Sequence, residues 1–130
     1  MGPYQNLTVW KKAMVLAKDI YAVTANFPQN EIYGLVSQMR RCAVSIPSNI
    51  AEGYGRSTNK ELVHFLYISL GSTNELETQL LLSREFNYLT EENASMLLQL
   101  NEQIYKMISS LIYKRTQAPQ IVETNFTSEP

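Results

Sequence analysis

Two side chains of this 130-residue sequence could do chemistry on their own, the single histidine and the single cysteine. No further His, Cys or carboxylate converges on His64 at one-turn spacing, as a metal site would require. Cys42 directly follows Arg40 and Arg41, and neighbouring positive charge lowers the pKa of a thiol and makes it reactive. The alternative is a small apolar residue buried on a helix stripe. The pattern favours a packing role for Cys42 and a packing or surface role for His64, so we expect no catalytic residue, no metal and no cofactor.

A glycine-rich turn is the next feature that could bind a ligand. Gly53-Tyr54-Gly55-Arg56 precedes a predicted helix, and backbone amides at such a place could hold a phosphate. The turn lacks the lysine and hydroxyl of a P-loop and follows a helix instead of a strand. The pattern therefore favours a helix stop followed by a turn.

Four cationic side chains form the candidate contact site for a partner or a nucleic acid: Arg40, Arg41, Arg56 and Lys60. Arginine beside an aromatic residue, here Tyr54, is a common contact pair for nucleic acids and proteins. The alternative is that these cations form ion pairs with Glu52, Glu61 or Glu77. The sequence leaves both interpretations open.

The composition limits the class of protein. Hydrophobic residues make up 45% of the chain and charged residues 18%, which is enough for the core of one domain. With 11 basic and 12 acidic residues the net charge is -1, whereas proteins that coat bulk DNA or RNA are strongly basic. No apolar stretch is long enough to span a membrane, and no signal-peptide core is present. We therefore expect a cytoplasmic protein with no membrane partner.

Apolar residues recur at three-and-four spacing along most of the chain. This periodicity predicts four helices, at about residues 7–26, 31–52, 59–86 and 91–115. Short connections between four amphipathic helices predict an all-α fold, an antiparallel up-down four-helix bundle. The predicted domain covers residues 1–116, and residues 117–130 are predicted to be a loose tail.

Capping and breaking residues set the predicted helix ends. We expect Asn6 or Thr8 to cap the first helix and Asn30 the second. Thr58 followed by Glu61 is a capping-box pattern for the third helix, which we expect to be continuous, and Thr90 is expected to cap the fourth.

Interruptions inside the second helix give two further predictions. Pro47 predicts a kink or a local break, because proline lacks a backbone donor and clashes with the preceding turn. Gly53 and Gly55 are expected to stop the helix with a left-handed cap.

The first predicted helix carries more apolar surface than a four-helix core needs. One seam contains Trp10, Ala13, Met14, Ala17, Ile20, Tyr21 and Thr24, and an adjacent seam contains Val9, Leu16, Val23 and Phe27. A helix that is apolar on more than one face must bury more than one face. The eight tyrosines point the same way, since tyrosine suits interfaces. The sequence therefore predicts a homo-oligomer.

One long run and several short motifs of the sequence are distinctive. The run Gln38–Arg56, QMRRCAVSIPSNIAEGYGR, resembles the central signature of a bacterial family, the four-helix-bundle 23S ribosomal RNA intervening-sequence (S23 ribosomal-type) proteins. Further similar motifs are Leu7–Ala13, Phe27–Pro28, Glu31, Tyr33–Leu35, Gly71–Ser72 and Glu75–Leu76, and the resemblance covers roughly residues 4–115. It implies a four-helix bundle that assembles into a ring-like pentamer with a central channel.

Two functions follow as expectations. The first is a non-enzymatic homo-oligomeric scaffold, because nothing in the sequence assembles a nucleophile, a base and an orienting group. The second comes from the resemblance, because some relatives are accessory proteins of diversity-generating retroelements that bind a reverse transcriptase and its template RNA. Those relatives are markedly basic, whereas this chain is slightly acidic. Under the second function, Arg40, Arg41, Arg56 and Lys60 would contact the RNA.

Overall fold

Helices account for nearly all of the regular structure. The computed structural model describes residues 3–117, with a short 3-10 helix at Pro3–Asn6, α1 at Thr8–Thr24, a second 3-10 helix at Gln29–Glu31, α2 at Leu35–Tyr54, α3 at Asn59–Glu85 and α4 at Glu91–Thr116. No strand occurs in this range. The predicted tail lies, from residue 118 onward, outside the described residues.

The four helices pack in a ring around one core. α1 contacts α2, α2 contacts α3, α3 contacts α4, and α4 contacts α1. The largest fully buried side chains come from all four helices: Leu16, Ile20, Met39, Ile46, Ile50, Leu66, Leu76, Leu80, Leu97, Ile104, Ile108 and Ile112. Burying each such side chain contributes about 1.5–3 kcal/mol. The predicted all-α four-helix bundle is confirmed, and within residues 3–117 no helix is both long and apolar enough to cross a membrane.

Two of the predicted caps are present. Thr58 Oγ1 accepts a hydrogen bond from the Glu61 backbone N–H at 3.2 Å and donates to Glu61 Oε1 at 3.0 Å. Thr90 Oγ1 accepts from the Asn93 backbone N–H at 3.0 Å. Both threonines satisfy amides that a helix leaves without internal acceptors. α3 is continuous, as predicted.

The caps predicted for the first two helices are wrong. Leu7 occupies the cap position of α1 and no side chain caps it. Asn30 lies inside the second 3-10 helix, because the chain turns directly after Pro28 and α2 starts only at Leu35. Glu31 takes over the capping role, since its Oε1 accepts from the Leu35 N–H at 3.3 Å.

α2 passes through both of its predicted interruptions. It remains helical across Pro47 and Gly53, so neither a break at Pro47 nor a stop at Gly53 is present, and the alternative of a kink at Pro47 stays a prediction. Gly55 follows the last helical residue with φ -87°, which is right-handed, so the predicted left-handed cap is wrong. Its N–H bonds back to the carbonyls of Ala51 and Glu52, which ends the helix without a positive φ.

Gly53 instead allows α2 and α3 to come close. A Cβ atom at Gly53 would lie 3.0 Å from Leu62 Cδ1, 3.1 Å from Phe65 Cβ and 3.2 Å from the Leu62 carbonyl oxygen. Gly71, in the middle of α3, has nothing within 4 Å of the equivalent position. The two glycines therefore differ in the space around the Cβ position, although both lie inside a helix.

We expect opposite effects from alanine at these two glycines. Gly71→Ala should raise the free energy of unfolding by about 0.5–1 kcal/mol, because alanine loses less backbone entropy than glycine in a helix. Gly53→Ala should lower it by about 1 kcal/mol, because the new methyl group forces α2 away from α3. Urea unfolding of both variants at one protein concentration measures the difference. Equal stabilisation by the two substitutions would contradict the close packing at Gly53.

Candidate functional site

Arg40 is used to hold α1 against α2. Its Nε donates to Thr24 Oγ1 at 2.9 Å, its Nη2 donates to the Tyr21 carbonyl at 3.2 Å, and its guanidinium carbon lies 4.5 Å from the centre of the Tyr21 ring. Both partners belong to the last turn of α1, the negative end of that helix dipole. Arg40 therefore has a structural partner set of its own.

Arg56 also has partners within the chain. Its Nη2 lies 2.8 Å from Glu52 Oε2 and its Nη1 lies 3.9 Å from Glu61 Oε2. Its guanidinium carbon is 4.9 Å from the centre of the Phe65 ring. The ion-pair alternative is therefore correct for Arg56 with two of the three predicted carboxylates. These pairs are solvent-exposed, so they position the side chain more than they stabilise the fold.

Arg41 and Lys60 are exposed and form no hydrogen bond or ion pair within residues 3–117. Arg41 lies in the first half of α2, whereas Lys60 lies in the first turn of α3. The 13 residues from Arg41 to Tyr54 correspond to about 20 Å of helix. The four predicted contact cations therefore do not converge on one surface, and their role in binding remains a prediction.

The glycine-rich turn uses its amides internally. The Gly55 N–H bonds to the Ala51 and Glu52 carbonyls, each at 3.1 Å, and the Arg56 N–H bonds to the Gly53 carbonyl at 3.1 Å. These bonds occupy the amides that a phosphate would need. The helix-stop-and-turn interpretation is therefore the better description, with the stop at Gly55.

Cys42 is a packing residue. It is 5% exposed, and its thiol donates to the Ser72 carbonyl at 3.0 Å and lies 3.8 Å from Glu75 Oε1. Burial, followed by the charge of Glu75, raises the pKa of the Cys42 thiol to about 12. The reactive-thiol alternative is wrong, because the nearest charge is a carboxylate on α3 and not the arginine that precedes Cys42 in sequence.

His64 is exposed on α3 and stands edge-on to the Phe65 ring, with the ring centres 5.1 Å apart. Across residues 3–117, no group of three His, Cys, Asp or Glu side chains is arranged to hold a metal ion.

The predicted seams of α1 are divided between the core and a surface groove. Val9, Ala13, Leu16, Ile20 and Thr24 are buried. The remaining residues of the longer seam face outward beside α2. Together with α2 they line a groove of about 680 Å³, formed by Tyr4, Trp10, Met14, Ala17, Lys18, Tyr21, Val44, Pro47, Ser48 and Ala51. This apolar groove was not predicted from the sequence. The two apolar seams of the first helix indicated the α1 side of it, but no feature of the sequence indicated the α2 side.

Comparison with known proteins supports the family resemblance. A family model described as 23S rRNA-intervening sequence protein matches residues 5–110. A crystal structure of a protein with unknown function from the S23 ribosomal protein family of Bacteroides thetaiotaomicron VPI-5482 is similar, with 26% sequence identity and a TM-score of 0.74. The match covers 81% of this chain and 98% of that one. No curated protein matches the sequence.

Lysine at each of the two adjacent arginines should separate their roles. We expect Arg40→Lys to lower the free energy of unfolding by about 1–2 kcal/mol, because lysine cannot bond Thr24 and the Tyr21 carbonyl in the same fork geometry. Arg41→Lys should change it by less than about 0.5 kcal/mol. Thermal and urea unfolding test this pair, and equal effects would contradict the assigned contacts of Arg40.

The raised pKa of Cys42 predicts slow alkylation in the folded protein. The thiolate fraction falls tenfold for each pH unit below the pKa, and the pKa is about 12 against an ordinary 9.0. At pH 8, iodoacetamide should therefore react about 1,000-fold more slowly with the folded than with the urea-unfolded chain. The same difference means that stability is lost as pH rises through the range 9 to 12, because only the unfolded thiol gives up its proton there. Equal alkylation rates in the two states would contradict the buried, protonated thiol.

Proposed function

Because the chain belongs to the family of 23S rRNA-intervening sequence proteins, we propose that it is a non-enzymatic scaffold that assembles into a ring of identical subunits, five in number. The observation that carries the proposal is the apolar groove between α1 and α2. The number of subunits follows from the family resemblance, and the groove supplies the surface through which subunits would meet.

Several apolar side chains that line the groove are exposed to water. Met14 is 40% exposed, Tyr21 46% and Val44 42%. They line one continuous groove across two helices, whereas exposed apolar side chains on a monomer are ordinarily scattered. A second subunit seated in the groove would remove this surface from water.

The other side of the bundle also exposes apolar side chains. The exposed large apolar residues on α3 and α4 are Tyr67, Ile68, Leu81, Leu82, Met96 and Tyr113. Within one subunit, each of the four long helices contacts only the two helices beside it in the bundle. The α3–α4 pair therefore lies opposite the α1–α2 pair. Two different surfaces on opposite sides suit a head-to-tail contact, and such a contact closes into a ring when the rotation allows it.

The charges and titratable groups fit a scaffold better than the alternatives. A net charge of -1 produces little repulsion between identical subunits. Arg40 and Arg56 have internal partners, which leaves two of the four predicted contact cations, Arg41 and Lys60, without one among the described residues. The role of a reverse-transcriptase or RNA accessory protein therefore has less support.

A matched pair of valine substitutions tests the assembly. Val44 lies in the apolar groove and is 42% exposed, whereas Val15 lies on α1 outside the groove and is 50% exposed. We expect a wild-type mass of about five times 14.9 kDa by size-exclusion chromatography with light scattering. Val44→Glu should shift the protein to single chains, because a buried unpaired carboxylate is unfavourable. Val15→Glu should leave the mass unchanged.

Two results would overturn the proposal. One is a wild-type mass of one chain at micromolar concentration. The other is equal dissociation by both glutamates. Absorbance at 260 and 280 nm in the same experiment reports bound nucleic acid, and a nucleic-acid signal that salt removes would favour the accessory-protein function instead.

A further inference from the structure

A polar cleft lies between α2 and α3, on a different side of the bundle from the apolar groove. Its volume is about 390 Å³ and its lining is Gln38, Arg41, Cys42, Ser45, Ser72 and Glu75. This volume is at the lower end of the range for small-molecule sites. All six residues fall within the stretches that carry the family resemblance. No residue of the apolar groove lines it.

Opposite charges stand on the two walls of the cleft without pairing. Arg41 on α2 has no hydrogen bond or ion pair within residues 3–117. The Glu75 carboxylate on α3 contacts the Cys42 thiol, with 3.8 Å between Oε1 and Sγ. The cleft therefore presents a guanidinium and a carboxylate that are both exposed and both lack a charged partner among the described residues.

Two hydroxyl groups, those of Ser45 and Ser72, also line the cleft. Ser72 Oγ donates to Ser45 Oγ at 2.9 Å, and Asn49 Nδ2 donates to the same Ser45 oxygen at 2.9 Å. Because Ser45 Oγ accepts both bonds, its own hydrogen is left to donate to a ligand. The cleft thus offers N–H and O–H donors on the α2 wall and a carboxylate acceptor on the α3 wall.

We propose that this cleft binds a free α-amino acid with a small side chain. The Arg41 guanidinium has the fork geometry that binds a carboxylate in bidentate fashion, and the Ser45 hydroxyl adds a donor. The Glu75 carboxylate pairs with the ammonium group. An anion without an ammonium group would meet the repulsion of Glu75, and a cation without a carboxylate would meet that of Arg41. The short Ser45, Ser72 and Cys42 side chains leave room for a small polar side chain.

Equilibrium dialysis of the full-length protein with radiolabelled L-serine tests the site. We expect saturable binding, displaced by excess L-alanine. N-acetyl-L-serine, which lacks the ammonium group, and L-serinamide, which lacks the carboxylate, should not displace it. Arg41→Gln and Glu75→Gln should each weaken binding about tenfold or more, because each removes one charge-assisted contact.

Matched substitutions outside the cleft control for general effects of charge. Arg84→Gln and Glu77→Gln, both on α3, should leave the affinity unchanged. Circular dichroism checks that the cleft variants fold, and Ser45→Ala provides a variant that keeps both charges.

Three results would overturn the proposal. The first is no saturable binding of L-serine or L-alanine to the wild-type protein, which would mean that Arg41 and Glu75 are solvent-exposed charges that bind no amino acid. The second is equal displacement by N-acetyl-L-serine, which would indicate a simple anion site. The third is unchanged affinity in both Arg41→Gln and Glu75→Gln. The scaffold proposal is judged separately, by the mass of the assembly.

Discussion

The close approach of α2 and α3 is the constraint on which the other features depend. At Gly53, Leu62 and Phe65 of α3 lie 3.0–3.1 Å from the position that a Cβ atom would occupy, so only a residue without a Cβ fits without displacing them. Further along, the Ser69 hydroxyl bonds the Ile46 carbonyl at 2.9 Å and the Cys42 thiol bonds the Ser72 carbonyl at 3.0 Å. Small side chains at these points let side chains of one helix reach the backbone of the other. This close approach of α2 and α3 buries Cys42 and places Glu75 beside its thiol.

α2 consequently serves different neighbours with consecutive residues. Arg40 and Arg41 point about 100° apart, as adjacent residues in a helix must. Arg40 bonds the end of α1, while Arg41 lines the cleft beside α3. Val44 and Pro47 face the apolar groove with α1. One helix thus provides a core stripe, an apolar outer surface and a polar one, which is why a short stretch of sequence carries so many of the residues discussed above.

The sequence predicted the helices well because their apolar residues recur at helical spacing and Thr58 and Thr90 mark two of the starts. The start of α2 was placed at residue 31 instead of Leu35, since the cap there is the side chain of Glu31, which reaches Leu35 from a 3-10 turn. The site could be predicted only as residue types. Spacing along one chain does not tell which helix lies beside Arg40 and which beside Arg41. Predicting the cleft requires knowing which helices are neighbours, because Glu75 is 34 positions after Arg41.

Buried polar bonds along α3 also fix its register. Ser69 bonds the Ile46 carbonyl of α2, and four residues later the Thr73 carbonyl accepts a bond from Asn101 Nδ2 of α4 at 2.9 Å. A slide of one helical turn, about 5.4 Å, would break either bond and leave buried polar groups without partners. A single inserted residue between Ser69 and Thr73 would rotate everything after it by about 100°. The length of this segment of α3 is therefore constrained as strictly as its composition, and evolutionary change there is expected by substitution and not by insertion or deletion.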